Sequence, residues 1–145
     1  MFSSIVVGTD GSQTAKRAVA IAAEMARRFD ARLHLVNSFR DPGEEAPVGA
    51  SSVRDPQTSP SMWRQSSEAV LAEALADPAL AGVEVEIHSV VGGVAQMIVE
   101  VANRVGADLI VVGNRGMRGA GHSGESVPNS VAHQAPCHVL IAKTT

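Results

Sequence analysis

The stretch Asp108-Leu109-Ile110-Val111-Val112-Gly113-Asn114-Arg115-Gly116-Met117-Arg118-Gly119-Ala120-Gly121-His122-Ser123-Gly124-Glu125-Ser126-Val127-Pro128-Asn129-Ser130-Val131 reads as a buried strand, a glycine-rich loop and the start of a short helix. Leu109 to Val112 are apolar at every position, the pattern of a central parallel strand covered on both faces. Glycine lets the backbone take φ > 0 and lets a ligand approach main-chain N–H groups, and a helix start adds the positive end of its dipole. Strand, loop and helix in this order meet the requirements of a phosphate cradle. A set of tight-turn glycines with no ligand is the other reading open at this point.

Outward from this stretch the chain alternates strands and helices. Ahead of it, Val94, Met97, Ile98, Val101, Ala102 and Val105 keep helical spacing after Gly92-Gly93. Before them Val83, Val85 and Ile87 alternate with Glu84, Glu86 and His88, which predicts a half-exposed strand at a sheet edge. At the amino end, Ile5-Val6-Val7 is a short apolar strand closed by Gly8-Thr9-Asp10-Gly11-Ser12, with Ser12 as helix N-cap. Ala15, Val19, Ala22, Met25, Ala26 and Phe29 then form an apolar helical stripe, and a second strand follows over about Ala31 to Asn37.

Residues 40–60 collapse into Asp, Glu, Ser, Gly and four of the seven prolines, and read as a mobile loop without chemistry. A helix from near Ser61 carries Trp63, Val70, Leu71, Ala74 and Leu75 inward and stops before Pro78. A short helix from Ser126 to Gln134 and a last strand, Cys137 to Lys143, complete the chain. Strands alternating with amphipathic helices predict an α/β fold, a three-layer, doubly wound sandwich on a parallel five-stranded sheet. In such sheets ligands sit beyond the carboxyl ends of the strands, where strand order reverses.

At 145 residues the chain suits one domain, 1–145. A hydrophobic share of 45% against 19% charged favours a folded globule. Net charge is −3 with no basic block and aromatics are 3%, which argues against nucleic-acid and anionic-membrane surfaces. One cysteine excludes an internal disulfide. Met1 to Gly8 lacks a basic n-region and no apolar run approaches the roughly 20 residues of a bilayer span. The expectation is a cytoplasmic protein.

Catalytic signatures are scarce. There is no G-x-x-x-x-G-K-[ST], no G-x-G-x-x-G after the first strand and no G-x-S-x-G. Five histidines are scattered, and Cys137-His138 on one strand point to opposite faces. No catalytic residue and no metal ligand is assigned.

Gly113-x2-Gly116, the glycine-rich loop, Ser126-Val127 and Ala135-Pro136-Cys137-His138-Val139-Leu140-Ile141 resemble the carboxyl end of the universal stress protein family, and Ile5-Val6-Val7-Gly8-Thr9-Asp10-Gly11-Ser12 resembles its first strand and turn. The resemblance implies strand order 3-2-1-4-5, which makes the turns at Thr9-Asp10 and Gly113-Gly116 neighbours across one crevice. It implies binding of an adenine nucleotide (ATP, AMP or cyclic AMP) by Thr9, Asp10, Val36, Gly113, Arg115, Gly116, Ser126 and Val127. Asp10 lies beside adenine and ribose in that scheme, the Val36 main chain meets the adenine edge, and the Gly113, Gly116, Ser126 and Val127 groups hold phosphate. For Asp10 the residues alone leave a second role open, bonding the N–H groups of its own turn. Arg115 and Arg118 either screen phosphate or are simply solvated, and the same choice holds for His122.

The nucleotide-binding branch of that family carries G-x2-G-x9-G-[ST], whereas here eight residues follow Gly116 and the pair is Glu125-Ser126. A carboxylate about 4 Å from a phosphate charge at an effective dielectric near 20 costs roughly 4 kcal/mol. That is nearly a thousandfold in affinity at about 1.4 kcal/mol per tenfold, and polyphosphate suffers most. Pro128 also stands where many relatives have Ser or Thr. The expected function is a stress-response dimer that binds an adenine nucleotide without turnover, joined through its last strand, Cys137 to Lys143. A slow ATP hydrolase and a nucleotide-free structural stress dimer are the alternatives.

Overall fold

The computed structural model describes residues 1–39, 60–115 and 126–145. Nearly all of the 40–60 segment, together with Gly116, Arg118, His122 and Glu125, lies outside the described residues. Five strands, β1 (Ser4–Gly8), β2 (Arg32–Phe39), β3 (Val85–Val91), β4 (Leu109–Gly113) and β5 (His138–Ala142), form one sheet in the order β3-β2-β1-β4-β5. Every pairing is parallel. The helices are α1 (Gln13–Phe29), α2 (Pro60–Leu75), α3 (Val94–Val105) and α4 (Val127–Gln134), so Pro60 opens a helix instead of ending the preceding loop.

Strand alternation divides the core in two. Ile5, Val7, Leu33, Leu35, Leu109 and Val111 point to the face covered by α1 and by Leu71 of α2. Val6, Val36, Ile110 and Val112 point to the face covered by Ile98, Val101 and Ala102 of α3 and Val131 of α4. The side chains of β1 and β4 near the middle of the sheet are almost wholly buried, each contributing about 1.5–3 kcal/mol relative to exposure. Runs with no polar residue are tolerated there because both faces are roofed.

α1 lies close to the sheet because the residues beneath it are small: Ala18, Ala22, Ala23 and Ala26 are buried beside Val19. Ser12 caps it, its Oγ accepting from Ala15 N at 3.2 Å, and Asp30 ends it in the left-handed region at φ 53°. Phe29, expected on the inner stripe, is instead exposed and meets Phe2 edge to face at 5.2 Å. It belongs to the last turn, beyond the strands that α1 covers.

A further expectation is corrected. On α2 only Leu71 is a fully buried apolar residue, while Trp63 and Leu75 are exposed, since this helix sits over β2 and the edge strand β3 with no further strand beneath. Its seam includes a polar residue, Ser67, whose buried Oγ accepts from Ser89 Oγ at 2.7 Å. On β3, Val85 packs against the core and Glu86 is exposed, but Ile87 is exposed and the His88 side chain is largely buried. The register explains it: β3 places His88 beside Val36 and Glu86 beside His34, on the α3 face. His34 and His88, distant in sequence, therefore meet.

Candidate functional site

The carboxyl ends of β1, β2 and β4 and the start of α4 enclose a cavity of about 710 Å³, within the range of about 300–1,000 Å³ usual for small-molecule sites. It opens where strand order reverses between β1 and β4. Thr9, Asp10, Val36, Gly113, Arg115, Ser126 and Val127 all line it. Of the residues expected to share a site, Gly116 alone lies outside the described residues.

The floor is apolar, made by Val36, Val94, Ile98 and Val112, which suits a flat hydrophobic ring better than a charged group. The wall beyond it is polar and pre-ordered. Thr9 donates its main-chain N–H to the Val36 carbonyl at 2.8 Å, and the Thr9 carbonyl accepts from Asn37 Nδ2 at 2.7 Å. These bonds fix the ends of β1 and β2 against each other. They also engage the Val36 carbonyl internally, leaving it only its second lone pair for a ligand.

Asp10 bonds the N–H of its own turn, the second of the two roles left open. Its Oδ1 accepts from the Ser12 N–H at 2.9 Å, which orders the turn into α1. Its Oδ2 stands 4.0 Å from Arg115 Nη1 across the β1–β4 mouth. Burial pushes its carboxyl up, but the Ser12 hydroxyl and N–H and the Arg115 guanidinium outweigh that and hold it below the ordinary value. It is the single carboxylate among the described lining residues.

At α4, Ser126 caps the helix, its Oγ accepting from Asn129 N at 3.4 Å. Pro128, the second helical residue, has no N–H, so the first three positions can offer a ligand at most the N–H of Val127. The Ser126 hydroxyl keeps its own proton to donate. This helix start can hold one small anion and has few donors for more.

Three residues of this region were not singled out in the sequence. Asn114 Oδ1 accepts from the N–H and hydroxyl of Thr144 at 2.8 and 3.2 Å, and Arg17 Nη1 donates to the Thr144 carbonyl at 2.7 Å. The buried Thr144 thereby becomes part of the cavity wall. A Cβ on Gly113 would stand 3.0 Å from Thr144 Oγ1, so the tail favours glycine here independently of any ligand. Asn114 lies inside the decisive stretch, but a tail of Lys-Thr-Thr gives no sign in advance of where it folds.

The model of the universal stress protein family matches residues 1–143. The chain belongs to the universal stress protein family. A universal stress protein of Mycobacterium tuberculosis is 35% identical over 99% of this chain and 98% of its own. One from Thermus aquaticus is 35% identical over 99% of this chain and its whole length. Among solved structures, a universal stress protein in complex with cAMP superimposes with a TM-score of 0.76 at 34% identity, covering 99% of this chain and 98% of its own. The Archaeoglobus fulgidus universal stress protein in complex with dAMP gives 0.70 at 26% identity, over 97% of each chain. The five-stranded sheet in order 3-2-1-4-5 is the α/β fold of this family. No helix among the described residues is long and apolar enough to cross a membrane.

Proposed function

We propose that this universal stress protein is a receptor for an adenine nucleotide bearing one phosphate, AMP or cyclic AMP in preference to ATP, and that it acts by binding without turnover. The observation carrying this reading is the cavity itself, where an apolar floor and the polar ends of β1, β2 and β4 meet a helix start with room for one anion. Adenine lies against Val36, Val94 and Ile98 in this scheme, ribose near Thr9 and Asp10, and phosphate near Gly113, Ser126 and Val127. Gly116 belongs with that phosphate group by its place in the sequence. Arg115 supplies the positive charge.

Three features argue against a triphosphate. Pro128 removes an N–H from the helix start, Arg115 already faces Asp10, and the sequence puts Glu125 immediately before Ser126. Two relatives solved with ligands hold cAMP and dAMP, each with a single phosphate. Hydrolysis is disfavoured by Asp10, since a carboxyl held below its ordinary value and bonded to Ser12 is a weak proton acceptor.

Isothermal titration with cyclic AMP, AMP and ATP tests the proposal on wild type and Glu125→Gly. Wild type binds the single-phosphate ligands more tightly, and the substitution improves ATP selectively. Tight ATP binding by wild type that Glu125→Gly leaves unchanged overturns it.

The assembly proposed with this function is a cytoplasmic homodimer in which the β5 edges pair, within the segment Cys137 to Lys143 expected to join the subunits. β5 ends the sheet with one side unpaired by any described strand, and Ile141 is exposed on it. An open apolar edge is a template for a second copy.

A further inference from the structure

On the α3 face of the sheet, outside the lining of the cavity, His34 Nδ1 and His88 Nε2 stand 2.9 Å apart. Glu86 completes a triangle, with Oε2 3.7 Å from His34 Nδ1 and Oε1 3.8 Å from His88 Nε2. All three ligand atoms lie within 4.8 Å of one another. We propose that His34, Glu86 and His88 form a binding site for a zinc-type divalent ion that clamps the edge strand β3 to β2.

The geometry has the scale of a coordination shell. Ligands on arms of about 2.0–2.1 Å at tetrahedral angles are separated by roughly 3.3–3.4 Å. The observed separations straddle that value, so small shifts of the two imidazoles and of a half-exposed carboxylate close the shell. Two imidazoles and one carboxylate suit zinc and its transition-metal neighbours, whereas magnesium and calcium prefer sets of oxygen ligands. Glu86 is on the solvent side, so the fourth position is open to water.

The surroundings keep the imidazoles ready. Burial holds both below the ordinary histidine value; His88 and Arg32 add to this at His34, Arg104 adds to it at His88, and Glu86 pulls the other way on each. Neutral imidazole is the form that ligates. The proton now shared between Nδ1 of His34 and Nε2 of His88 moves to the far nitrogen of its ring when both lone pairs turn to the ion. Arg32 lies 3.9 Å from Glu86 but makes its close ion pair with Glu84, so Glu86 can be recruited without stranding a buried charge. His34 and Glu86 are register partners, and His88 is one pleat further along β3, so one ion would link strands whose residues are 52 to 54 positions apart.

The test is titration calorimetry of zinc chloride into the chelator-stripped full chain, with thermal unfolding followed in parallel. One ion is expected per chain, with a rise in Tm and a tetrahedral absorption spectrum when cobalt replaces zinc. His88→Gln and Glu86→Gln should each weaken binding by more than the roughly 10–100-fold typical of losing an outer-shell partner. Cys137→Ser should leave it unchanged. Glu86→Gln, at a half-exposed position, decides the matter if His88→Gln folds poorly. Absence of zinc binding in the micromolar range, wild-type affinity in Glu86→Gln, or loss of binding in Cys137→Ser overturns the proposal.

Discussion

The main-chain N–H of Thr144 donates to the side-chain oxygen of Asn114 at 2.8 Å, and this bond makes the end of the chain a wall of the cavity. The same oxygen accepts from the hydroxyls of Thr144 and Thr145 at 3.2 and 3.3 Å. Asn114 itself is held by its own N–H, which donates to the Ala142 carbonyl at 2.9 Å. Asn114→Ala therefore removes the acceptor of three donors while leaving the backbone in place. The expected loss is about 1–2 kcal/mol, read by urea denaturation, because the Thr144 N–H is buried and left without a partner. A loss within error of zero would mean that the tail is held by Arg17 alone.

Gly113 and Thr144 are coupled by space. An added methyl on Gly113 meets Thr144 Oγ1 at 3.0 Å and Cγ2 at 3.3 Å, but Thr144 Cβ only at 3.7 Å. Gly113→Ala should cost about 1–3 kcal/mol by overpacking. In a Thr144→Ala background, where both close atoms are gone, the added cost should largely vanish. A double-mutant cycle by chemical denaturation measures the coupling, and additive effects would contradict the packing argument.

Asp108 ties the start of β1 to the start of β4. Its carboxylate accepts from the N–H and hydroxyl of Ser3, each at 2.9 Å, and from the N–H of Ser4 at 3.2 Å. Burial pushes the carboxyl up, but these donors outweigh it and hold it below the ordinary 3.8. A carboxyl lowered in the folded state stabilises the fold fully above its unfolded value and loses that contribution as pH falls through the folded one. Asp108→Asn should destabilise by on the order of 1 kcal/mol at neutral pH, solvent screening having reduced the figure. The deficit should shrink as pH falls below the ordinary 3.8 and through the lowered folded value. Thermal melts across that range check the sign.

How much of this was legible in the sequence follows from what each pattern encodes. The buried runs Ile5–Val7 and Leu109–Val112 announce strands because both faces are covered, and Ser12 and Ser126 mark helix starts through their caps. The cavity followed from two turns at the ends of neighbouring strands, and every described residue expected there lines it. What escaped depends on register and on distant contacts. Nothing local tells that the His88 side chain is buried while Ile87 is exposed, since the neighbours each residue meets are set by pairing with β2. The Ser67–Ser89 bond escaped for a similar reason, because a seam sought by hydrophobicity passes over a polar pair that satisfies itself.

Arg115 bears on the proposed ligand more than on the fold. Its contact with Asp10 is 4.0 Å long and both side chains are about two-thirds exposed, so the pair contributes little to stability. Arg115→Ala should leave Tm nearly unchanged but weaken cyclic AMP binding by about three- to tenfold, an effect of up to ~1.4 kcal/mol. The difference should narrow as salt is raised, because the interaction is solvent-exposed. Calorimetry at two ionic strengths separates this from an indirect effect through Asp10, which Asp10→Asn probes independently. A salt-independent loss would argue that Arg115 orders the loop instead of attracting phosphate.

Ile141 offers the most direct approach to the proposed dimer. It is 38% exposed on the edge strand, while its neighbours Leu140 and Ala142 belong to the core on the α1 face. Ile141→Lys therefore puts a charge where a second β5 would pair without removing anything from the monomer's interior, and edge lysines oppose strand-to-strand association. Sedimentation velocity should show wild type as a dimer and the variant as a folded monomer, with the circular dichroism unchanged. The tail bonds from Asn114 and Arg17 to Thr144 lie just beyond this strand. If the dimer orders that tail, Ile141→Lys should also weaken nucleotide binding, although the substituted residue does not line the cavity. A variant that remains dimeric would place the subunit contact elsewhere on the molecule.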